Sequence, residues 1–264
     1  MRVAAALVLV SLFCSLLPAS APAAAPDELT YREYRAISRV AERLLCCAMF
    51  EPLDGEPGMY LVLGDRFGKL NVYLLHGGGR HERVWVSQQL DGNAEEVLVV
   101  DLSGDGLDDH IICRTPRRLY AWDLNADFFL RYESQPNDFQ SIRAFTVANM
   151  DRDPGNEIVL NADDKIHYID GATFNRKWTS LNNYQATQIR CGDVDGDGQN
   201  EIVLNTGQVL DSGTGNVKWE DQVFGARIEL LDFDGDGIME ILTESDSAPL
   251  RVFDVDYRAE KRFQ

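Results

Sequence analysis

The sequence has few basic residues and none of the motifs typical of common enzyme sites. Its 264 residues include 25 Lys and Arg against 43 Asp and Glu, a formal net charge of −18, and only four His. Nucleic-acid binding needs clustered Lys and Arg, so this balance argues against a nucleic-acid partner. No Gly-x-Ser-x-Gly, His-Glu-x-x-His or phosphate-loop motif occurs, and the histidines share no spacing. We therefore predict that the protein is not an enzyme.

Long hydrophobic runs are also scarce, and the one that stands out lies at the N-terminus. Met1-Arg2 is followed by the uncharged segment Val3–Leu17 and then by the small residues of Pro18–Pro26. This is the order of regions in a secretory signal peptide, and Ala21-x-Ala23 predicts cleavage after Ala23. The run is shorter than the roughly 20 residues of a membrane span. We therefore predict a secreted or periplasmic protein without a membrane span.

Cysteine is infrequent, and no Cys-x-x-Cys occurs, which argues against a thiol redox site. Cys46, Cys47, Cys113 and Cys191 remain after cleavage, and two disulfides among them would allow three connectivities. Cys46 and Cys47 would point to opposite faces of a strand, so we do not expect them to pair with each other. Buried thiols are favoured over disulfides, and the pairing stays open.

The segment after the signal peptide has the pattern of a short helix. Thr30-Tyr-Arg-Glu33 forms a capping box, and apolar residues recur at helical spacing from Tyr31 to Leu44. The sequence thus divides into a signal peptide (1–23), a helical segment (24–44) and a repetitive region (45–264).

The repetitive region contains acidic segments at a nearly constant period. They begin at Asp101, Asn149, Asp193 and Asp232, which are 48, 44 and 39 residues apart, and a degraded fifth copy begins at Phe50. A period of this length indicates an array of supersecondary units.

Each unit has the pattern of four short strands. An apolar stretch such as Ile228–Leu231 precedes the acidic segment, and a second such as Ile202–Asn205 follows it directly. A third strand such as Ile166–Ile169 is separated by a Gly-containing turn from a more polar fourth strand, Arg176–Trp178. This pattern predicts an all-β protein, a monomeric β-propeller of about five four-stranded blades over residues 45–264. An open arc of blades is the alternative to a closed ring.

The acidic segments place oxygen ligands at regular positions. Positions one, three, five and nine carry side-chain oxygens, position seven would add a backbone carbonyl, and Gly at position six permits a tight turn. Hard oxygen donors suit Ca²⁺, which takes about six to eight of them. An EF-hand is excluded because its last carboxylate lies further along the loop and is followed by a helix. We predict up to four structural Ca²⁺ ions, with these ligands: Asp101, Ser103, Asp105, Leu107 and Asp109; Asn149, Asp151, Asp153, Gly155 and Glu157; Asp193, Asp195, Asp197, Gln199 and Glu201; Asp232, Asp234, Asp236, Ile238 and Glu240.

These segments resemble the FG-GAP or VCBS repeats of integrin-α-like propellers. Phe224-Gly225 followed by Asp232–Glu240 matches the Phe-Gly, spacer and calcium loop of that repeat in order. The resemblance implies a propeller with Ca²⁺ held in inter-strand loops, usually as an adhesion or recognition module. A second resemblance, to quinoprotein-type propellers, rests on Asp170–Trp178 and Asp211–Trp219, whose tryptophans would pack against the neighbouring blade.

These observations together predict an exported calcium-binding β-propeller that recognises a protein or a glycan. Calcium would neutralise the clustered carboxylates and fix the inter-strand loops. Two alternatives stay open. One is a carbohydrate-active enzyme, a polysaccharide lyase or glycosidase, since such enzymes occur on propellers and paired acids outside the loops could be catalytic. The other is a periplasmic scaffold for envelope assembly.

Overall fold

The computed structural model describes residues 44–51, 58–76, 80–151, 153–245 and 248–261, which form strands and turns. No helix among these residues could cross a membrane. The predicted signal peptide, its cleavage site and the helical segment up to residue 43 lie outside the described residues. Residues 54 and 55 of the degraded acidic copy also lie outside the described residues. Leu44, the last residue of the predicted helical segment, instead begins the first strand.

The described residues form twenty strands in five antiparallel sheets of four strands each. In every sheet the strands lie side by side in the order of the chain. The first sheet contains β1 (Leu44–Phe50), β2 (Met59–Asp65), β3 (Leu70–Leu75) and β4 (His81–Val86). The second contains β5 (Glu96–Val100), β6 (His110–Arg114), β7 (Leu119–Asp123) and β8 (Phe129–Glu133). The third contains β9 (Ile142–Ala148), β10 (Glu157–Ala162), β11 (Lys165–Asp170) and β12 (Arg176–Thr179). The fourth contains β13 (Ile189–Gly192), β14 (Glu201–Leu204), β15 (Gln208–Leu210) and β16 (Val217–Glu220). The fifth contains β17 (Ile228–Leu231), β18 (Glu240–Ser245), β19 (Ala248–Asp254) and β20 (Ala259–Lys261). The predicted all-β organisation in four-stranded units is confirmed.

The turn between the third and fourth strands follows from its sequence. Asp170 accepts hydrogen bonds through Oδ1 from the N–H of Thr173 at 2.8 Å and from its hydroxyl at 2.7 Å. Asp211 and Thr214 repeat this arrangement one unit later, at 2.8 and 2.6 Å. Such side-chain bonds replace strand pairing locally and reverse the chain.

The hydrophobic core consists of four clusters, each shared by two consecutive sheets. Side chains alternate between the two faces of a strand, so the second, third and fourth sheets each contribute to two clusters. On β6, for example, Ile111 packs toward the first sheet and Ile112 toward the third. Among the described residues, no cluster joins the first sheet to the fifth. The sheets therefore pack face to face in chain order, as propeller blades do.

Aromatic residues pack at the contacts between neighbouring sheets. Trp178 stacks on Tyr168 with ring centroids 5.4 Å apart and donates its Nε1–H to the carbonyl of Ser212 in the next unit at 3.0 Å. Trp219 lies 6.2 Å from Phe253 of the fifth sheet. The predicted packing of both tryptophans against the neighbouring unit is confirmed.

The Phe-Gly pair before the last acidic segment has a packing role. Phe224 is fully buried in the cluster shared by the fourth and fifth sheets. A Cβ on Gly225 would overlap the hydroxyl of Thr243 and the backbone carbonyl oxygen of Glu244, so the close backbone approach requires glycine. The carbonyl of Gly225 accepts a hydrogen bond from Asn205 Nδ2 at 3.2 Å.

The four cysteines of the described chain are free thiols. Cys46 donates its S–H to the carbonyl of Ala94 at 3.2 Å, and burial raises its pKa to about 12. Burial also raises the pKa values of Cys113 and Cys191. The thiolate forms are therefore disfavoured, and these side chains act as core residues.

Candidate metal-binding loops

The four acidic segments occupy the same place in successive sheets, between the first and second strands. Loop A (residues 101–109) joins β5 to β6, and loop B (149–157) joins β9 to β10. Loop C (193–201) joins β13 to β14, and loop D (232–240) joins β17 to β18. Positions within each loop are numbered from one to nine.

The residue at position nine of each loop has a buried carboxylate that hydrogen-bonds the backbone near the start of the loop. This carboxylate is between 1 and 4% exposed and accepts a hydrogen bond from the backbone N–H of position two. The four bonds are Asp109 to Leu102 at 2.8 Å, Glu157 to Met150 at 2.9 Å, Glu201 to Val194 at 3.1 Å and Glu240 to Phe233 at 2.6 Å. The last predicted ligand of each loop thus also satisfies a backbone donor of the loop.

Carboxylates at position one of loops A, C and D, and at position five of all four loops, bind further loop amides. In loop A, Asp101 accepts the N–H of Gly104 at 2.6 Å and of Gly106 at 2.7 Å. Loops C and D repeat this pattern, and the glycines involved have φ between 75° and 92°. Position five accepts the N–H of position seven at 2.9 Å in all four loops. The tight loop therefore needs both its acids and its glycines.

Loop B departs from this pattern because it lacks Gly at positions four and six. Asn149 donates Nδ2 to the carbonyls of Asp153 at 2.7 Å and Gly155 at 3.0 Å. The Gly155 carbonyl, a predicted ligand, therefore accepts a hydrogen bond from another predicted ligand residue.

The predicted carboxylates converge in three of the loops. Three ligand atoms lie within 4.8 Å of one another in each of these groups: Asp151, Asp153 and Glu157; Asp193, Asp195 and Asp197; Asp232, Asp234 and Glu240. No such group is found in loop A among the described residues. There, Asp109 Oδ1 lies 2.7 Å from His110 Nδ1. Burial opposes ionisation of Asp109, but hydrogen bonds from His110 and from the Leu102 N–H hold its pKa below the usual value.

Two lysines that the sequence analysis did not consider reach into loops B and C. Lys218 Nζ lies 2.6 Å from Asp195 Oδ2, 2.8 Å from Asp197 Oδ2 and 3.0 Å from Glu201 Oε1. Lys177 Nζ approaches two carboxylates of loop B and one at the end of β11: Asp151 Oδ2 at 2.7 Å, Glu157 Oε1 at 3.5 Å and Asp170 Oδ2 at 3.2 Å. Each ammonium thus contacts three carboxylates.

A β-bulge positions each lysine. On β12 the register shifts between the pairs Tyr168–Trp178 and Ile169–Arg176, so Lys177 is the extra residue. Lys218 is the extra residue at the equivalent shift on β16. A bulge redirects a side chain relative to its strand. The sequence signal was the Lys-Trp pair that recurs in both fourth strands.

Burial and the lysines act in opposite directions on the loop carboxylates. Burial raises the pKa of Glu201 to about 7, although the hydrogen bond from Lys218 opposes this rise. Burial likewise raises the pKa of Glu157. Hydrogen bonds from Lys218 and Lys177 lower the pKa values of Asp197 and Asp151, respectively. Asp151 and Asp197 therefore stay ionised beside a positive charge.

The loops are linked to one another across the sheets. Asn156, at position eight of loop B, donates its backbone N–H to the Leu102 carbonyl at 3.1 Å and its Nδ2 to the Asp101 carbonyl. Asn200 Nδ2 donates to the Asn149 carbonyl at 2.6 Å, and the Met239 N–H donates to the Asp193 carbonyl at 3.0 Å. Position eight of loops B, C and D thus joins the preceding loop, so the four loops form one continuous surface, here called the loop face.

The burial of the side chain at position two depends on whether another sheet follows its loop. Leu102, Met150 and Val194 are buried in the clusters shared with the following sheet. Phe233 of loop D is 42% exposed. Position two is therefore buried where a following sheet packs against its loop.

The donor chemistry of loops B, C and D fits a hard divalent cation, because each gathers three carboxylates. In loops B and C, however, an ammonium already contacts two of the three carboxylates of each group. These two loops therefore have a positive charge supplied by the chain itself.

No protein-family model and no curated protein matches this chain. Among solved structures, the chain is similar to the crystal structure of BBS1N in complex with ARL6DN, soaked with lead. The TM-score is 0.58 at 10% sequence identity, and the match covers 83% of this chain and 67% of that chain. BBS1N is a β-propeller, so this similarity supports a β-propeller-like fold for the five sheets.

Proposed function

We propose that this protein is an exported five-bladed β-propeller of the FG-GAP or VCBS type that acts as a monomeric recognition module for a protein partner. Each four-stranded sheet would be one blade, and calcium would stabilise the acidic loops. The propeller-like fold supports an interaction role, and the similar solved structure is itself a complex of BBS1N with ARL6DN. A signal-peptide pattern at the N-terminus supports export.

The continuity of the loop face is the observation that carries the proposal. Consecutive loops are hydrogen-bonded to one another, and their acids satisfy the loop amides, so the surface is pre-organised. Leu107 of loop A is 56% exposed, and Phe233, on the side of loop D where no described sheet follows, is 42% exposed. Exposed apolar side chains beside an acidic surface suit a partner that presents basic and apolar residues.

Calcium would act by neutralising carboxylates that repel one another. Oxygens at positions one, three, five and nine, with the carbonyl of position seven, would hold the ion. Extracellular calcium modules bind with dissociation constants of roughly 10⁻⁴–10⁻³ M. At about ten times that concentration, one site would add about 1.4 kcal/mol to the free energy of unfolding. Calorimetric titration, and melting with and without EDTA, measure this; an unchanged melting temperature in excess EDTA contradicts the calcium role.

Site-specific photo-crosslinking tests the recognition role. A photoreactive amino acid replaces Leu107 or Phe233 in the full chain, expressed in its source cells. The matched control replaces Leu181, which is 90% exposed between β12 and β13, away from the loop face. We expect one crosslinked protein at both loop-face positions and none at the control. Equal labelling at all three positions, or none, would refute recognition by this face.

We propose binding rather than catalysis because the acids that the fold gathers are engaged by loop amides and lysines. A catalytic carboxylate pair would need to reach a substrate instead. Incubation of the purified protein with a panel of polyanionic glycans checks this point. Turnover of any of them would favour the lyase or glycosidase alternative.

A further inference from the structure

The contacts of Lys177 and Lys218 differ from those of ordinary surface lysines. Each ammonium contacts three carboxylates, one of which is almost fully buried at position nine of its loop. An exposed ion pair joins two mobile side chains and contributes little. Here the acids are already fixed by the loop amides, so the lysine completes a prearranged site.

We propose that Lys177 and Lys218 serve as built-in cations that take the place of a metal ion in loops B and C. With loops B and C occupied by lysine, only the ions predicted for loops A and D remain, so the protein binds at most two ions rather than four. This limit on the number of ions rests on the proposed calcium role. The replacement of metal by lysine in loops B and C does not.

In loop C the ammonium and a calcium ion would use the same carboxylates. Lys218 contacts three of the four side-chain ligands predicted for loop C, namely Asp195, Asp197 and Glu201. An ion bound to these oxygens at about 2.3–2.6 Å would lie within a few ångströms of the ammonium. Repulsion between like charges excludes joint occupancy. Calcium could enter only by displacing the lysine.

The backbone conformation holds each lysine in place. Both lysines are the extra residue of a β-bulge at the same register of the fourth strand. The ammonium of Lys177 also lies 5.5 Å from the ring centroid of Tyr168, a favourable cation–π distance. Displacement would lose these contacts and would leave the lysine to be solvated again.

The other two sheets that carry acidic loops, the second and the fifth, differ at the equivalent position. The equivalent bulge on β8 carries Arg131, which is exposed. On β20, Glu260 stands opposite Phe253 and pairs with Arg251 at 2.9 Å. Neither position carries a lysine. The lysine therefore recurs in two of the four units at one structural position.

Counting bound calcium tests the proposal. Equilibrium dialysis with ⁴⁵Ca²⁺ is performed on the full mature chain, on Lys177→Met, on Lys218→Met and on the double variant. Lys69→Met is the control, because Lys69 is exposed in the turn between β2 and β3. We expect the wild type and the control to bind the same number of ions, at most two. Each lysine removed from a loop adds one ion, so the double variant gains two.

The outcomes separate the two proposals. A wild type that binds no calcium, with variants that bind one and two ions, contradicts the calcium role and supports the lysine replacement. A wild type that binds four ions overturns the replacement. So do lysine variants that bind no more calcium than Lys69→Met.

Amine labelling of the wild type tests the proposal without any variant, so it applies even if the variants do not fold. The full mature chain is acylated under mild conditions with EDTA or with 10 mM Ca²⁺, a concentration roughly ten times a weak dissociation constant of this class. We expect Lys177 and Lys218 to react several-fold more slowly than Lys69 in both conditions. If calcium raises their reactivity to that of Lys69, the ion displaces them and the proposal is wrong.

Discussion

Replacing Gly104 by Ala should separate loop A from loop B. Gly104 has a φ of 78°, and a Cβ built on it would overlap the carbonyl oxygen of Pro154 in loop B. The obstacle is backbone, which cannot rotate away as a side chain does. The substitution therefore strains the residue itself and also forces two loops apart.

The magnitude of the effect follows from two contributions. An alanine in the left-handed region costs about 1–2 kcal/mol. Moving loop B away also breaks the bonds from Asn156 to the carbonyls of Leu102 and Asp101, at about 1 kcal/mol each. We expect the free energy of unfolding to fall by about 3–4 kcal/mol in total.

Two glycines provide matched controls. Gly106, in the same loop, has a φ of 89° and nothing within 4 Å of its Cβ position. Gly235 occupies the position of Gly104 in loop D, with a φ of 83°, and its Cβ position is equally open. Alanine at either site should cost only the 1–2 kcal/mol of backbone strain.

Urea denaturation followed by tryptophan fluorescence measures all three variants, and an unchanged dependence on urea shows that the compared states are the same. All samples contain EDTA, so that metal binding does not contribute. If Gly104→Ala is no less stable than Gly106→Ala and Gly235→Ala, the contact between the loops contributes nothing and the reasoning is wrong.

Three further predictions concern the core and its dependence on pH. Burial lowers the pKa of His167 below its unfolded value of 6.5, so the unfolded chain binds the proton more readily. The free energy of unfolding should therefore fall as pH drops below about 6.5, and His167→Gln should reduce this slope in urea titrations at several pH values. Trp178→Phe keeps the stacking but loses the bond to Ser212, and calorimetry should show a loss of about 1 kcal/mol. Val194→Ala should lower the free energy of unfolding by about 1–3 kcal/mol, because Val194 is buried. Phe233→Ala changes the same loop position where it is exposed and should cost less than about 1 kcal/mol. Urea midpoints measure both, and equal losses would contradict the burial argument.

The units, their strands and their turns could be predicted because each depends on residues close in sequence. Asp170 and Thr173 form their turn within four residues, and the carboxylate of Asp101 binds amides of its own loop. A recurring local pattern is visible in one sequence. The four-strand organisation and the positions of the acidic loops therefore agree with the structure.

The contacts that change the interpretation of the loops are not local. Lys218 lies 17 residues beyond Glu201, and it reaches the loop only because a bulge shifts the register of β16. Asn156 contacts Asp101 from 55 residues away, across two sheets. Neither the bulge nor the sheet-to-sheet distance is encoded in the spacing of the acids. The contacts of the lysines and of the position-eight residues therefore depend on the tertiary structure and could not be predicted from the sequence.

Because each hydrophobic cluster joins two consecutive sheets, the described chain behaves as a one-dimensional series of coupled units. In such a series an end unit has one stabilising neighbour, whereas an inner unit has two. Backbone amides of the fifth sheet, where Phe233 is left exposed, should exchange with deuterium before those of the third and fourth sheets. The same exposed end would then be the first to open under partial denaturation, while the lysine-filled loops B and C remain closed.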